Sequence, residues 1–406
     1  MNRSPFLSVE EARDRICADV AQLPGERVDL ASASGRTLAE AVVAPRAQPP
    51  FDASAMDGYA LATSGEGATA GREFNLRGEA AAGHPFTASL STGDAVRIFT
   101  GAPLPAGADT ILIQEDAEPC ADERIAATAL ATPGRWIRAL GCDFAAGDRL
   151  IEAGKVLGAS DLMLVAAAGF AEVTVTRRPR IAILATGDEL VPPGSTPAPG
   201  QIFSSVPAGL AALVTHFGGV PDTLGIAGDS FAELDAKLAR AGDANVVLTI
   251  GGASVGDHDL VHSGLQRAGA ALDFWKIAMR PGKPLMFARR DRQVFLGLPG
   301  NPVSGIVCAR IFLVPLIARL LGRAPATSDV VRLPLAAPRP ANGPREHYMR
   351  ATIEMTDTGE RRVRVAADQD SSLMTVLARA DALVRTPPGA CETEAGTLVD
   401  VLPLDF

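Results

Sequence analysis

The sequence lacks the cysteine patterns of disulfide scaffolds and zinc sites. Its five cysteines form no C-x-x-C pair and no metal-ligand spacing. A reducing compartment therefore suits the chain best. Residues 1–15 are polar and lack the apolar core of a signal peptide. We therefore expect a cytoplasmic protein.

The sequence also lacks excess positive charge and a long uninterrupted apolar run. Its 38 Lys and Arg against 47 Asp and Glu give a formal net charge of −9, which argues against general affinity for nucleic acid or anionic lipid. The most apolar stretch, residues 306–321, contains Arg310, Pro315 and Arg319, so we expect it to be too short and too interrupted to cross a bilayer. The sequence thus predicts no nucleic-acid or membrane partner.

Hydrophobic patterning divides the chain into several parts. A capping box at Ser8 and Glu11 opens an amphipathic helix. Short alternating stretches between Gly and Pro turns follow, and they predict a β-rich domain. Three continuous apolar runs, at 181–185, 246–250 and 294–298, then alternate with helical patterns, including a second capping box at Ser230. This alternation predicts a doubly wound α/β sheet of buried parallel strands.

These patterns predict an α/β plus β fold with four parts. They are a discontinuous N-terminal linker or dimerisation domain (1–45 and 147–176), an inserted β-rich domain (46–146), an α/β domain (177–326) and a C-terminal β domain (327–406). Ligands of doubly wound sheets bind beyond the carboxyl ends of the strands. We therefore look for functional residues in the loops there.

The first such loop contains Thr186, Gly187, Asp188 and Glu189. Its backbone N–H groups could receive an anion and its carboxylates could hold a cation. Acids at a strand-to-helix turn are equally well explained as helix N-caps. Both interpretations stay open for this loop alone.

The second loop, residues 251–259, is rich in glycine. Gly252 and Gly256 allow the backbone to approach a ligand closely, Ser254 can donate to a phosphate oxygen, and Asp257 and Asp259 supply hard oxygen ligands. The alternative is a tight glycine turn with two solvated acids.

The third loop gathers positive charge in an acidic protein. Lys276, Arg280 and Lys283 lie within eight positions, which suits phosphate or oxyanion binding, although a solvated basic loop is the alternative. The nearby turn from Pro299 to Pro302 could present helix N-terminal N–H groups to an anion, or it could be merely structural.

Taken together, these stretches resemble the molybdopterin molybdenumtransferase family, which includes the bacterial MoeA proteins and the E domain of gephyrin. The shared motifs lie in order at residues 54–60 (Ser-Ala-Met-Asp-Gly-Tyr-Ala), 100–103, 186–190, 254–259, 281–284 and 298–304. They run from residue 54 to residue 304, so the resemblance is not limited to one domain.

The resemblance implies an elongated subunit and a homodimer in which residues 54–60 of one subunit face the α/β domain of the other. It also implies a reaction. Adenylated molybdopterin, supplied by a molybdopterin adenylyltransferase, loses AMP by hydrolysis of its phosphoanhydride in the presence of molybdate and Mg²⁺, and molybdenum is placed on the dithiolene. Recipient molybdoenzymes or their chaperones would take the product.

Functional positions of the family map onto residues of this chain. The resemblance implies catalytic acids at Asp57, Asp143, Glu189, Asp229 and Asp259, of which Glu189, Asp229 and Asp259 would bind the metal. Substrate-binding positions fall at Thr100, Thr186, Gly187, Asp188, Gly252, Ser254, Gly256, Lys276, Arg280, Lys283, Pro299, Pro302, Arg350 and Ser371.

The chain departs from the family at three positions. Arg280 replaces a common Lys, Ala53 replaces a common Asn, and Asp370 replaces a common Gly next to Ser371. Arg280 exchanges a point donor for a planar fork. Asp370 would add a negative charge where an oxyanion is expected.

Two other functions compete with this interpretation. The gephyrin branch shows that the fold can serve as a scaffold or binding protein. A different enzyme on the α/β domain, such as the adenylyltransferase or a nucleotide amidase, is the other alternative. The motif at residues 54–60 and the flanking domains weigh against a different enzyme, because stand-alone adenylyltransferases resemble only the central domain.

Overall fold

The computed structural model describes residues 6–251, 260–323 and 330–406. Helix α1 (Val9–Cys17) begins at the predicted capping box, in which the Glu11 N–H donates to Ser8 Oγ at 3.1 Å and the Ser8 N–H donates to the Glu11 carboxylate at 3.0 Å. The apolar face of α1 packs into the core of the α/β domain, and Arg15 pairs with Asp273 at 2.9 Å. The boundary expected at residue 45 assigns this helix to the linker domain, whereas its packing joins it to the α/β domain.

Two segments distant in sequence share the next core. Strand β1 (Gly25–Asp29) pairs antiparallel with β12 (Glu172–Thr176), and β2 (Val42–Val43) pairs with β11 (Arg149–Ile151). Helix α2 (Ala159–Ala167) completes this unit, whose core joins residues between 33 and 42 to residues between 151 and 175. Chain segments on both sides of the inserted domain therefore form one packed body.

The inserted part contains a six-stranded sheet of order β7-β4-β6-β5-β9-β8, beside the short pair β3 (Ala53–Ser54) and β10 (Ile137–Arg138). Apolar clusters cover both faces of the sheet, so β6 is buried almost throughout and does not alternate between buried and exposed residues. Its strands are β4 (Gly58–Leu61), β5 (Glu73–Ala80), β6 (Asp94–Ile98), β7 (Thr110–Ile113), β8 (Ala117–Cys120) and β9 (Arg124–Ala127).

The α/β part is a doubly wound sheet of order β16-β13-β17-β21-β20-β18, which confirms the predicted fold class. Its first four strands are parallel, while β20 runs against both of its neighbours. The strands are β13 (Arg180–Thr186), β16 (Val220–Ala227), β17 (Val246–Ile250), β18 (Ala271–Lys276), β20 (Pro284–Arg290) and β21 (Gln293–Leu298), and the short strands β14 (Leu190–Val191), β15 (Ile202–Phe203) and β19 (Met279–Arg280) lie outside this sheet.

Helices cover both faces of this sheet. Helices α4 (Phe231–Ala241) and α5 (Leu260–Arg267) pack on one face, and α1, α3 (Val206–His216), α6 (Pro302–Cys308) and α7 (Val314–Leu320) pack on the other. A π-helical turn, Ala309–Leu313, joins α6 to α7 just before Pro315. Pro315 cannot donate to the carbonyl four residues earlier, which favours a widened turn there.

One helix in the described chain, Pro302–Leu320, is long and apolar enough to cross a membrane by length and composition alone. The expectation that this region is too short to do so is therefore wrong. In the most apolar 18-residue stretch of this helix, 83% is nevertheless buried inside the protein. It forms the centre of the α/β core.

The C-terminal sheet has the order β19-β23-β25-β26-β22, and β24 pairs with β23. Its first strand, β19, belongs to the basic loop of the α/β part, so the two parts share a sheet edge. The other elements are β22 (Val331–Pro334), β23 (Glu346–Met355), β24 (Arg361–Val365), α8 (Met374–Ala378), β25 (Ala382–Thr386) and β26 (Leu398–Pro403).

Candidate active site

The predicted loops lie along one edge of the α/β sheet. Strands β16, β13, β17, β21 and β18 run in the same direction, so their carboxyl ends share this edge with the beginning of β20. In strand order, the edge carries Asp229, then Glu189, Gly251, Pro299, Lys283 and Lys276. Neighbouring strands are about 4.8 Å apart, so roughly 14 Å separates the end of β13 from the start of β20. Acids lie at one end of the edge and cations at the other.

The first loop folds tightly at Gly187. The Gly187 N–H donates to the Ala227 carbonyl at 3.1 Å, and Thr186 Oγ1 donates to the Ile250 carbonyl at 3.3 Å. Gly187 has φ +139°, and a Cβ there would overlap the carboxylate of Glu189. The Glu189 side chain therefore folds back over its own turn, and only glycine leaves room for it.

Asp188 connects two loops. Its Oδ1 accepts a hydrogen bond from the Asp229 N–H at 2.9 Å, which ties the turn after β13 to the turn after β16. Glu233 supports the same turn by accepting from the Gly228 N–H at 2.8 Å. Ser230 Oγ accepts from the Glu233 N–H at 3.3 Å, so the predicted capping box at Ser230 forms only in part.

The predicted metal ligands Glu189 and Asp229 belong to these adjoining loops, while the third, Asp259, lies outside the described residues. Within residues 6–251, 260–323 and 330–406, no group of three or more His, Cys, Asp or Glu residues could hold a metal ion. Two carboxylates nevertheless fit Mg²⁺, which usually takes one or two and completes its shell with water and phosphate oxygens.

A cavity of about 310 Å³ opens at the middle of the edge. Thr186, Glu189 and Gly251 line it, because they lie at the ends of neighbouring parallel strands. The binding roles of Thr186 and Glu189 stay predictions. The segment from Ile202 to Pro207 also lines it, and sequence patterns did not indicate this segment. The predicted Pro302 lines the opposite wall and is the first residue of α6, while Pro299 is buried in the turn before it.

The predictions for Gly252, Ser254, Gly256, Asp257 and Asp259 fall on a segment outside the described residues. They stay predictions. Their flanking residues, Gly251 and Leu260, follow β17 and begin α5.

The basic loop is held from two sides. The Ala278 N–H donates to the Leu7 carbonyl at 2.8 Å, and the Glu346 N–H donates to the Ala278 carbonyl at 2.9 Å. The Ile277 N–H closes the loop on the Lys283 carbonyl at 3.1 Å. Lys276, Arg280 and Lys283 thus project from a loop fixed by both the N-terminal segment and the C-terminal sheet.

The C-terminal sheet also carries Ser371 to this edge. Asn301 Nδ2 donates to Ser371 Oγ at 3.0 Å, although Asn301 occupies the N-cap position of α6, where a side chain usually bonds its own helix. The unexpected Asp370 points elsewhere, since its Oδ1 accepts from the N–H and Oγ of Ser372 at 2.8 and 2.7 Å. These bonds lower the pKa of Asp370.

Arg350 holds the loop that presents Ser371. Its side chain is only 1% exposed, and its guanidinium donates to Gln369 Oε1 at 3.2 Å and to the carbonyl oxygen of Asp370 at 2.9 Å. Further bonds reach the carbonyls of Asp368 and Leu373. The donors of Arg350 are therefore used inside the protein, and the substrate contact expected for it stays a prediction.

Asp57 and Thr100 lie together on the inserted sheet. Asp57 Oδ1 accepts from the backbone N–H and from Oγ1 of Thr100, both at 2.8 Å. These bonds lower the pKa of Asp57, so its carboxylate is charged at neutral pH. Asp143 is exposed on the same part of the chain, where its N–H donates to the Gln48 carbonyl at 3.0 Å.

Gly58 fixes the strand that presents Asp57. A Cβ at Gly58 would overlap the carbonyl oxygen of Leu112 on β7. The hydrogen bonds that place Asp57, Thr100 and Asp143 all come from the inserted part of the chain. Asp57 and Thr100 therefore form a second group, carried by a different sheet from the edge loops, while Asp143 lies in the segment after β10.

The fold and these two groups define a class: multidomain proteins that bind a ligand at the edge of a doubly wound sheet. Family models match the chain in three consecutive parts: the MoeA N-terminal region (domains I and II) at residues 7–169, a probable molybdopterin binding domain at 182–319, and the MoeA C-terminal region (domain IV) at 332–404. The chain belongs to the MoeA family, as the sequence motifs indicated.

Relatives of known name match nearly the whole chain. It is 33% identical over 410 residues to the molybdopterin molybdenumtransferase of Haemophilus influenzae, covering 98% of this chain and 99% of the relative. It is 34% identical over 413 residues to that of Nostoc, covering 99% and 94%. The crystal structure of the molybdopterin biosynthesis MoeA protein from Pyrococcus horikosii matches it with a TM-score of 0.86 at 28% identity, covering 99% of this chain and all of that one.

Proposed function

We propose that this protein is a molybdopterin molybdenumtransferase of molybdenum cofactor biosynthesis. It inserts molybdate into adenylated molybdopterin in a Mg²⁺-dependent reaction that releases AMP. The observation that supports the proposal is the sheet edge itself, where acids of the β13 and β16 loops lie at one end and cations of the β18–β20 loop lie at the other. The cavity lined by Glu189 opens between these ends. An extended ligand with several negative charges suits a site of this length.

The cationic end would bind the oxyanions. Lys276, Arg280 and Lys283 supply charge-assisted hydrogen bonds to a terminal phosphate or to molybdate. Arg280 adds a planar fork where many relatives have a point charge. Ser371, held by Asn301 at 3.0 Å, adds a hydroxyl donor at the same edge.

The acidic end would bind Mg²⁺ through Glu189 and Asp229, with Asp259 as the third proposed ligand. When bound, Mg²⁺ offsets the negative charge that develops on the leaving oxygen of the phosphoanhydride. Thr186, Gly187 and Asp188 shape the turn beside it.

Asp57, Thr100 and Asp143 complete the proposed site from a second subunit. A carboxylate whose pKa is lowered by two donors is a weak base. We therefore assign Asp57 the orientation of water or metal-bound groups, and proton removal is not its main role. This arrangement needs the proposed homodimer, in which the inserted sheet of one subunit faces the α/β edge of its partner.

The proposal extends to partners and location. A molybdopterin adenylyltransferase would supply the substrate, and molybdoenzymes or their chaperones would receive the product. Cytoplasmic location stays a prediction. The adenylyltransferase alternative is less well supported, because the matches include the N-terminal and C-terminal regions beside the α/β domain. A scaffold remains the alternative outside catalysis.

The test is AMP release from adenylated molybdopterin by the purified protein with molybdate and Mg²⁺. Asp229→Asn should lower the rate at least tenfold, because removal of one metal carboxylate weakens the site. Asp357→Asn, which removes an exposed acid on the turn between β23 and β24, is the matched control. Absence of AMP release by the unmodified protein with any divalent metal would reject the enzymatic function and favour the scaffold.

A further inference from the structure

The N-terminal segment lies directly on the basic loop. Leu7 forms a parallel β-bridge with Ile277, and its carbonyl accepts from the Ala278 N–H at 2.8 Å. The Ile277 N–H in turn donates to the Lys283 carbonyl at 3.1 Å. These bonds place the residue before Leu7 beside the side chain of Lys283.

That residue is Phe6, and its ring supports the Lys283 ammonium. Lys283 Nζ lies 5.2 Å from the centroid of the Phe6 ring. An aromatic face attracts an ammonium electrostatically at this distance. Lys283 is exposed, so its remaining N–H donors point away from the ring toward solvent or a ligand.

A lysine side chain has four rotatable bonds and large rotamer entropy, which it loses when it binds an anion. A ring that already holds the ammonium reduces that loss. We propose that Phe6 is a positioning residue of the oxyanion site, which holds the Lys283 ammonium where it meets a phosphate or molybdate oxygen. The inference rests on the proposed role of Lys283 in oxyanion binding.

The second lysine of the loop offers an internal control. Lys276 Nζ lies 5.7 Å from the ring of its own neighbour, Trp275. Trp275 packs against His262 with ring centroids 5.5 Å apart. The ring beside Lys276 therefore comes from the α/β part itself, although Phe6 lines the same cavity as Trp275 and Lys276. A change at Phe6 should affect Lys283 more strongly than Lys276.

The experiment compares Phe6→Leu with Phe6→Tyr in the full-length protein. Phe6→Leu keeps an apolar side chain and removes the aromatic face, whereas Phe6→Tyr keeps the face. We expect Phe6→Leu to weaken binding of molybdate, measured by calorimetry, about two- to fivefold. Phe6→Tyr should bind as the unmodified protein does. Amine acylation followed by mass spectrometry should show a larger change in labelling rate at Lys283 than at Lys276.

A second comparison isolates the contact. In a Lys283→Ala background, Phe6→Leu should have no further effect on molybdate binding. The proposal is overturned if Phe6→Leu leaves the labelling of Lys283 and the affinity for molybdate unchanged, or if the loss persists without Lys283. Altered labelling of Lys283 in a protein that never binds molybdate would support the positioning contact and reject the proposed role of Lys283.

Discussion

At the scale of single residues, the pair Asp57 and Thr100 shows how hydrogen bonds lower the pKa of a carboxyl proposed to be catalytic. Two donors from one residue reach the same carboxylate oxygen, and they lower the pKa of Asp57 although the side chain is not buried. Hydrogen bonding to the charged form explains the direction of this shift. The lowering of the pKa therefore comes mainly from Thr100, with a smaller contribution from the nearby charge of Arg97.

Thr100→Val should raise the pKa of Asp57 toward its ordinary value of 3.8. The backbone N–H of residue 100 remains, so part of the lowering should persist. A carboxyl whose pKa is lower in the folded protein than in the unfolded chain stabilises the fold at pH values above the unfolded-state pKa. This stabilisation is lost as the pH falls through the folded-state pKa. The variant should therefore lose stability at neutral pH and none in strong acid. Carbon-detected NMR titration of the carboxyl measures the shift, and an unchanged pKa would contradict the account.

His347 shows the opposite case, a group kept neutral by its surroundings. It is 5% exposed, and burial together with the charges of Arg280, Arg345, Arg350 and Arg339 lowers its pKa to about 4. His347 takes up a proton near pH 6.5 in the unfolded chain, and in the folded protein it does so only near pH 4. The protein should therefore lose stability between these values as pH falls.

His347→Phe should remove this part of the acid sensitivity. The Nε2 atom of His347 has no hydrogen-bond partner, so a ring of similar size without nitrogen can replace it. Between pH 7 and pH 5 the variant should lose less stability than the unmodified protein, by on the order of 1 kcal/mol. Urea unfolding at both pH values measures the difference, and equal losses in the two proteins would refute the role of His347.

At the scale of elements, the loop before α8 depends on one buried side chain. Arg350 binds the carbonyls of Asp368, Asp370 and Leu373 together with the side chain of Gln369. A lysine cannot reproduce this fork. The conformation of the loop that presents Ser371 therefore depends on the hydrogen bonds that Arg350 donates to it.

Arg350→Lys should destabilise the protein by about 1–3 kcal/mol, because buried carbonyls lose their donors. Hydrogen exchange should accelerate at residues 366–373 and stay constant in β25. Arg364→Lys, at an exposed position on β24, provides a control with the same change of side chain. Similar exchange profiles for both variants would show that Arg350 does not hold the loop.

The elements that sequence patterns predicted are those with local signals. The runs at 181–185, 246–250 and 294–298 are apolar throughout because both faces of their strands are covered, and each is a strand of the sheet. The capping box at Ser8 likewise depends on residues three positions apart. The reversed direction of β20 and the joining of β19 to β23 depend on contacts between distant segments, for which no local pattern exists.

The candidate site likewise has parts that the sequence predicted and parts that it could not predict. The loops bearing Glu189, Lys283 and Pro302 were predictable because strand ends determine where they lie. The hydrogen bonds from Asn301 to Ser371 and from Gly228 to Glu233 were not predictable, because each depends on where the folded chain brings its partner. Arg350 matched a family position, yet only its burial reveals that its donors are used inside the protein.

At the scale of the whole molecule, the proposed active site combines two surfaces. Asp57 belongs to the inserted sheet, and Asp229 belongs to the edge of the α/β sheet. If each site takes one surface from each subunit, two inactive variants can complement each other. A symmetric dimer with all groups in one subunit cannot do so.

Equal amounts of Asp57→Asn and Asp229→Asn chains, unfolded and refolded together, should recover about one quarter of the unmodified AMP-release activity, because half of the dimers then contain one intact site. Each variant alone should stay inactive while eluting as a dimer. A mixture as inactive as its components would place both acids in the same subunit.

The basic loop has a consequence for the order in which the molecule matures. It is tied to residue 7 on one side and to residue 346 on the other, so neither the start of the chain nor the α/β part can set it alone. A nascent chain whose C-terminal sheet is still inside the ribosome lacks one of the two contacts that hold the basic loop. The final arrangement of this loop therefore requires the C-terminal sheet as well as the α/β part.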